Sequence, residues 1–139
     1  MEETGIADPA MQAALFAGLA FSNTQTAMAH ALSYYLTLHK GTPHGLACSF
    51  TLPGIIEVIK GRYPEVDAGL ARIFGEVSGK KLLLLYKELG ISPEFADYGI
   101  GDGDLASLRE SLSGSSRLGN SLLDAETYFD RIAKVSLKV

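Results

Sequence analysis

At 139 residues, 47% of them apolar, the chain is long enough to bury a core without disulfide or metal staples and short enough for a single domain, 1–139. The 16 acidic residues outnumber the 12 basic ones for a net charge of −4, which argues against nucleic acid as a partner, because a polyanion needs a Lys/Arg face. A single cysteine, Cys48, excludes an internal disulfide framework and fits a reducing, cytoplasmic setting.

Charge is unevenly spread. No Asp, Glu, Lys or Arg occurs from Pro9 to His39, and a second charge-free stretch follows from Gly41 to Ile56. Such a segment is either buried on most sides or in a membrane. The polar run Ser22-Asn23-Thr24-Gln25-Thr26 interrupts it, and neither flanking block reaches the roughly 20 residues that a span needs. Glu2 and Glu3 stand where a signal peptide would carry bases. The expectation is therefore a buried helical hairpin outside the membrane, covered in part by a partner domain or a second subunit.

Taken in order, Asp8-Pro9 supplies a cap and a first-turn proline for a helix over Ala10 to Phe21. A second helix is predicted from about Thr24 to Leu38, stopped by Lys40-Gly41. Thr42-Pro43 opens a third, which Pro53-Gly54 should kink or divide before Ile55 to Lys60. The spacing of Leu70, Ile73, Phe74 and Val77 predicts a helix over Val66 to Val77. Lys80 to Leu89 is another, closed by Gly90, and Ser92-Pro93-Glu94 opens a short one. Asp104 is predicted to cap Leu105 to Leu112, and Asp124 a last helix to about Val135. No strand is predicted, so the fold class is all-α, a multi-helix bundle. Gly99-Ile100-Gly101-Asp102-Gly103 has the look of a phosphate loop, but it follows no strand and carries an acid, so it reads as a turn.

All three histidines fall between positions 30 and 44. His30 lies on the apolar second helix, and His44 stands at the start of the third. Two imidazoles on adjacent helices can converge on one ion. On spacing alone they read more readily as hydrogen-bonded core residues than as ligands, because a tight metal site needs three or four ligands. His39 is nine positions beyond His30, half a turn out of phase, so it should face elsewhere.

A family resemblance weighs on this choice. Gly18-Leu19-Ala20-Phe21-Ser22-Asn23 is followed by Ala29-His30-Ala31-Leu32 and then by Thr42-Pro43-His44-Gly45. This series resembles the signature of the iron-containing (group III) alcohol dehydrogenases, in which an Ala-His pair precedes a Pro-His-Gly by the same interval. The likeness is dense over the first third and looser beyond, through the turn Gly90-Ile91-Ser92-Pro93 and the loop Gly119-Asn120-Ser121.

The resemblance implies the helical C-terminal domain of such an enzyme. His30 and His44 would then be two of four ligands to a divalent metal, Fe2+ or Zn2+. The other two, an aspartate and a histidine on an earlier helix, are not in this sequence, nor is the Rossmann-like domain that would bind NAD(P). The parent reaction would be hydride transfer between a small-molecule alcohol or aldehyde and the nicotinamide, with the metal as Lewis acid. This chain alone is expected to be a fragment without turnover. Many relatives place a further histidine four residues after the first ligand. Here that position is Tyr34, either a catalytic member of a proton relay or an aromatic wall. Phe21 matches a substrate-pocket position in some relatives, though plain packing explains it equally. The segment from Ala29 to Thr37 looks most like the branch that reduces phosphonoacetaldehyde. The uncovered apolar surface predicts a homodimer or higher oligomer. The rival reading is a stand-alone helical dimerisation or interaction module without catalysis.

Overall fold

The charge-free run folds as two helices with a break between them, and the second is the centre of the fold. In the computed structural model, which describes residues 9–22 and 26–133, α1 spans Pro9–Ser22 and α2 spans Met28–Lys40. The remaining α-helices are α3 (His44–Ser49), α4 (Leu52–Ile59), α5 (Pro64–Phe74), α6 (Lys80–Leu89), α7 (Asp102–Ser113) and α8 (Ala125–Tyr128). A π-helical turn, Phe129–Ala133, continues α8, and 3-10 turns cover Ala96–Tyr98 and Ser116–Asn120. No strand occurs among the described residues, as the all-α expectation requires. Asp8, Thr24 and Val135, which figure in the expected helix ends, lie outside the described residues.

α2 places Met28, Leu32 and Leu36 four residues apart, with Ala31 and Ser33 beside them, and this stripe is the buried face. α3, α7 and the Ser116–Asn120 turn pack against α2. Leu32 and Leu36 are 0% exposed, in one cluster with Ala47, Phe50, Phe95, Leu108 and Tyr128. Burying each such leucine contributes about 1.5–3 kcal/mol. Phe50 meets Phe95 edge-on, with ring centroids 5.1 Å apart.

The expected burial of Ala10–Phe21 is corrected by the structure. α1 buries none of its residues, and Leu15 and Phe16 are 61% and 66% exposed. The reason is physical: alanine and leucine secure the helix locally, whereas burial needs a covering surface, which the described residues do not supply.

Several boundaries differ from the sequence expectation. α2 starts at Met28 because Thr26 and Ala27 are not helical, and the Arg117 guanidinium donates to the Thr26 hydroxyl. α5 runs from Pro64 and stops where Gly75 turns left-handed at φ 77°, three residues before the expected end after Val77. Asp104 is not the cap of α7. It lies inside the first turn, and its Oδ2 accepts from the Gly101 backbone N–H at 3.0 Å, as in the return half of a capping box. At Pro53-Gly54 the expected division occurs rather than a kink, a little earlier than Pro53: α3 ends at Ser49, the break falls at Phe50-Thr51, and Pro53 stands in the first turn of α4. Gly79 is required by close approach: a Cβ there would sit 2.7 Å from the Pro53 carbonyl oxygen.

Candidate metal centre

The connection from α2 to α3 sets the centre. Gly41 adopts φ 67°, a left-handed conformation that costs glycine little, and the Thr42 N–H closes on the Leu36 carbonyl at 3.3 Å. Pro43 is extended (φ −52°, ψ 131°), so the chain runs back beside α2 before α3 begins. His44, the first residue of α3, thereby comes level with Ser33, eleven residues earlier, at 3.4 Å from Oγ to Nδ1. His30 stands in the first turn of α2, and its ring meets that of His44 edge-on at 4.9 Å between centroids.

A third group joins the two imidazoles. Cys48 Sγ lies 3.4 Å from His30 Nδ1 and 3.6 Å from His44 Nε2. One donor atom from each of the three residues falls within 4.8 Å of the others. The outward ring nitrogens have partners too. Tyr34 Oη is 3.2 Å from His30 Nε2, and Ser33 Oγ faces His44 Nδ1. The Ser33 hydroxyl donates to the His30 carbonyl at 2.7 Å. Its oxygen is therefore left to accept from His44.

The electrostatics favour a neutral His30 ring. Partial burial, the Arg117 guanidinium and the neighbouring His44 together hold the His30 pKa below the ordinary histidine value. Arg117 reaches the site by stacking its guanidinium 5.3 Å from the Tyr34 ring centre. Neutral imidazole and a thiol that ionises on coordination suit a borderline divalent cation, so the donor set fits the metal that the sequence signature implies.

Beside the cluster opens a cleft of ≈ 480 Å³. His30 and Cys48 form part of one wall, and Leu52, Ile55, Ile59 and Leu123 supply most of the apolar lining. Phe21 is not among the lining residues. It lies 57% exposed on α1. His39 stands apart at the other end of α2, with its ring 4.7 Å from that of Tyr35. Tyr34 is adjacent to both candidate ligands, 5.1 Å from the His30 ring and 6.1 Å from that of His44.

Sequence reasoning missed Cys48, Ser33 and Arg117. The signal for Cys48 was present, because His44 and Cys48 are four residues apart and so share a helix face. Arg117 is joined to the site only through tertiary structure, by contacts to residues more than eighty positions earlier.

Comparison with known proteins identifies a family. The profile described as "Fe-containing alcohol dehydrogenase family, C-terminal" matches residues 2–113. Lactaldehyde reductase of Escherichia coli K12 is 27% identical over 107 residues, which cover 68% of this chain and 28% of that protein. 1,3-Propanediol dehydrogenase of Klebsiella pneumoniae is 28% identical over 110 residues, 70% of this chain and 28% of its own. The crystal structure of an iron-containing alcohol dehydrogenase from Thermotoga maritima superposes with a TM-score of 0.69 at 32% identity, over 92% of this chain and 34% of the other. The chain thus spans little more than a quarter of the length of the curated relatives it matches. It belongs to the Fe-containing alcohol dehydrogenase family, and the region it matches is the family's helical C-terminal one.

Proposed function

We propose that this chain is the metal-holding part of a cytoplasmic, NAD(P)-dependent alcohol dehydrogenase or aldehyde reductase, acting on a small alcohol or aldehyde of the kind its relatives are named for. The observation that carries this reading is the convergence of His30 Nδ1 and His44 Nε2, each within 3.6 Å of one sulfur. His30 and His44 would hold a divalent cation, Fe2+ or Zn2+, which supplies Lewis acidity toward the substrate oxygen. Ser33 and Tyr34 orient the two rings through their outer nitrogens, and Tyr34 is the group best placed to pass a proton at the edge of the site. The cleft beside His30 offers a mostly apolar wall to a substrate on one side of the centre. Phe21, on the exposed face of α1, would join the pocket wall only with a covering domain in place. NAD(P) binding and turnover are assigned to the remainder of a whole enzyme, so the chain by itself should bind metal weakly and oxidise no alcohol.

The test is metal retention. Equilibrium dialysis against Fe2+ or Zn2+ should show His30→Ala and His44→Ala each weakening binding by at least about tenfold, with His39→Ala without effect. Equal affinity in all three variants would remove both histidines from the site.

Arg117 favours a more specific substrate. Its guanidinium stacks on Tyr34 and acts electrostatically on His30, and it suits an aldehyde bearing an anionic group such as a phosphonate. Methylphosphonate should perturb the Arg117 and Tyr34 side-chain NMR signals in the wild-type chain and leave the Tyr34 signal unshifted in Arg117→Met. No perturbation in the wild type would leave a neutral substrate.

The exposed apolar side chains of α1 support self-association in a homodimer or higher oligomer, through the same patch on each copy.

A further inference from the structure

We propose that Cys48 is a third protein ligand, making the centre a two-histidine, one-thiolate site selective for zinc-class cations. This rests on the reading of His30 and His44 as ligands and adds a donor to it.

The distances carry the argument. A tetrahedral zinc ion with Zn–S of about 2.3 Å and Zn–N of about 2.0–2.1 Å separates sulfur from each nitrogen by about 3.5 Å. Cys48 Sγ stands 3.4 Å and 3.6 Å from His30 Nδ1 and His44 Nε2. Both sulfur–nitrogen edges of such a site are therefore already present.

Hydrogen bonding alone accounts for only part of this. The Ser33 proton is committed to the His30 carbonyl, so the proton between Ser33 and His44 belongs to His44 Nδ1, and Nε2 is left bare. His30 Nε2 donating to Tyr34 Oη would leave His30 Nδ1 bare in the same way. Two bare nitrogens then face one thiol, which has one proton and can serve only one of them. A cation satisfies all three donors at once. The outer partners on Nε2 of one ring and Nδ1 of the other match the pattern by which metal-binding histidines are oriented.

Local structure makes the arrangement cheap. His44 and Cys48 lie one turn apart on α3, so their alignment needs no tertiary contact. His30 comes from α2, against which α3 packs directly. On binding, the thiol bond breaks, its proton passes to solvent, and the sulfur pair is shared with the metal. Thiolate and imidazole favour zinc or cobalt over magnesium or calcium.

The test uses the 139-residue chain under reducing conditions with Co2+ as a spectroscopic stand-in for zinc. The expected result is a near-ultraviolet thiolate-to-cobalt charge-transfer band that rises to a plateau corresponding to one bound Co2+ per chain. Zn2+ should abolish it and Mg2+ should not. Cys48→Ser should lose the band and bind at least about tenfold more weakly, while His39→Ala keeps both. Zn2+ should also slow alkylation of Cys48 by iodoacetamide in the unmodified chain, and a chelator should restore the rate. That measurement does not depend on how a variant folds. If Co2+ binds without the band, Cys48→Ser leaves affinity unchanged and His30→Ala or His44→Ala weakens it, the thiolate proposal fails and the two-histidine reading stands. If none of the three substitutions alters binding, or no Co2+ binds, both fail.

Discussion

α1 and α2 are cut from the same uncharged run between Pro9 and His39, yet α1 buries none of its residues while α2 buries five. The absence of charge up to His39 does not separate them. What differs is the arrangement. In α2 the large apolar residues Met28, Leu32 and Leu36 fall on one stripe, and Tyr34, Leu38 and His39 remain exposed. In α1 apolar residues occupy nearly every position, so no single face is selected, and Met11, Leu15, Phe16 and Leu19 are all more than half exposed. Helix formation is a local property that both segments satisfy. Burial is a relation between a face and whatever covers it, and α2 has α3, α7 and the Ser116–Asn120 turn as its cover.

The largest effect that follows is on stability. Leu32→Ala or Leu36→Ala removes a fully buried side chain and should cost about 2–5 kcal/mol in urea unfolding. Leu15→Ala and Leu19→Ala in α1 should change stability by no more than about 0.5 kcal/mol, as for exposed positions. Comparable losses in the two helices would break the contrast and mean that α1 is covered in solution.

Such cover could come from a second copy, and the next effect is on association. If α1 faces pair, replacing Leu15 and Phe16 together by lysine should weaken the dimer by at least about tenfold, or about 1.4 kcal/mol, with helical circular dichroism unchanged. Light scattering across a concentration series reads this directly. A wild-type chain that stays monomeric at high micromolar concentration would show that α1 does not pair with itself.

The same contrast explains what could be read in advance. Helix positions were legible because caps, prolines and glycines are local. Gly41, Gly90 and Asp124 end or start helices where expected, and Asp124 Oδ1 accepts from the Thr127 N–H at 2.7 Å. Gly75 and the role of Asp104 were misjudged because each lies within a turn of another plausible boundary residue. The burial of α1 was misjudged because no sequence pattern states which surface is present to cover it. At the candidate site, the pairing of His30 with His44 was legible through the family signature and not through spacing alone. Arg117 and Ser33 were not, since their places there depend on how the elements pack around α2.

The smallest effect sharpens the contrast at the C-terminal end of α2, which is tied electrostatically where α1 has no charge to tie. Lys40 Nζ lies 2.7 Å from Asp104 Oδ1, and the Tyr35 hydroxyl donates to the same oxygen at 3.2 Å, linking α2 to α7. The Lys40 ammonium, then the Gly101 backbone N–H, hold the Asp104 pKa below the ordinary carboxylate value. A lowered pKa in the folded state means that this contribution is complete above the unfolded value, about 3.9. It is lost as pH falls through the folded value. Asp104→Asn should therefore lower Tm by a small amount at neutral pH, and the gap to wild type should close as both are acidified below about pH 4. High salt should shrink the Lys40 share at neutral pH and leave the hydrogen bond from Gly101. A gap that persisted unchanged in strong acid would mean that the side chain acts by shape and packing, and that α2 is held against α7 by its apolar stripe alone.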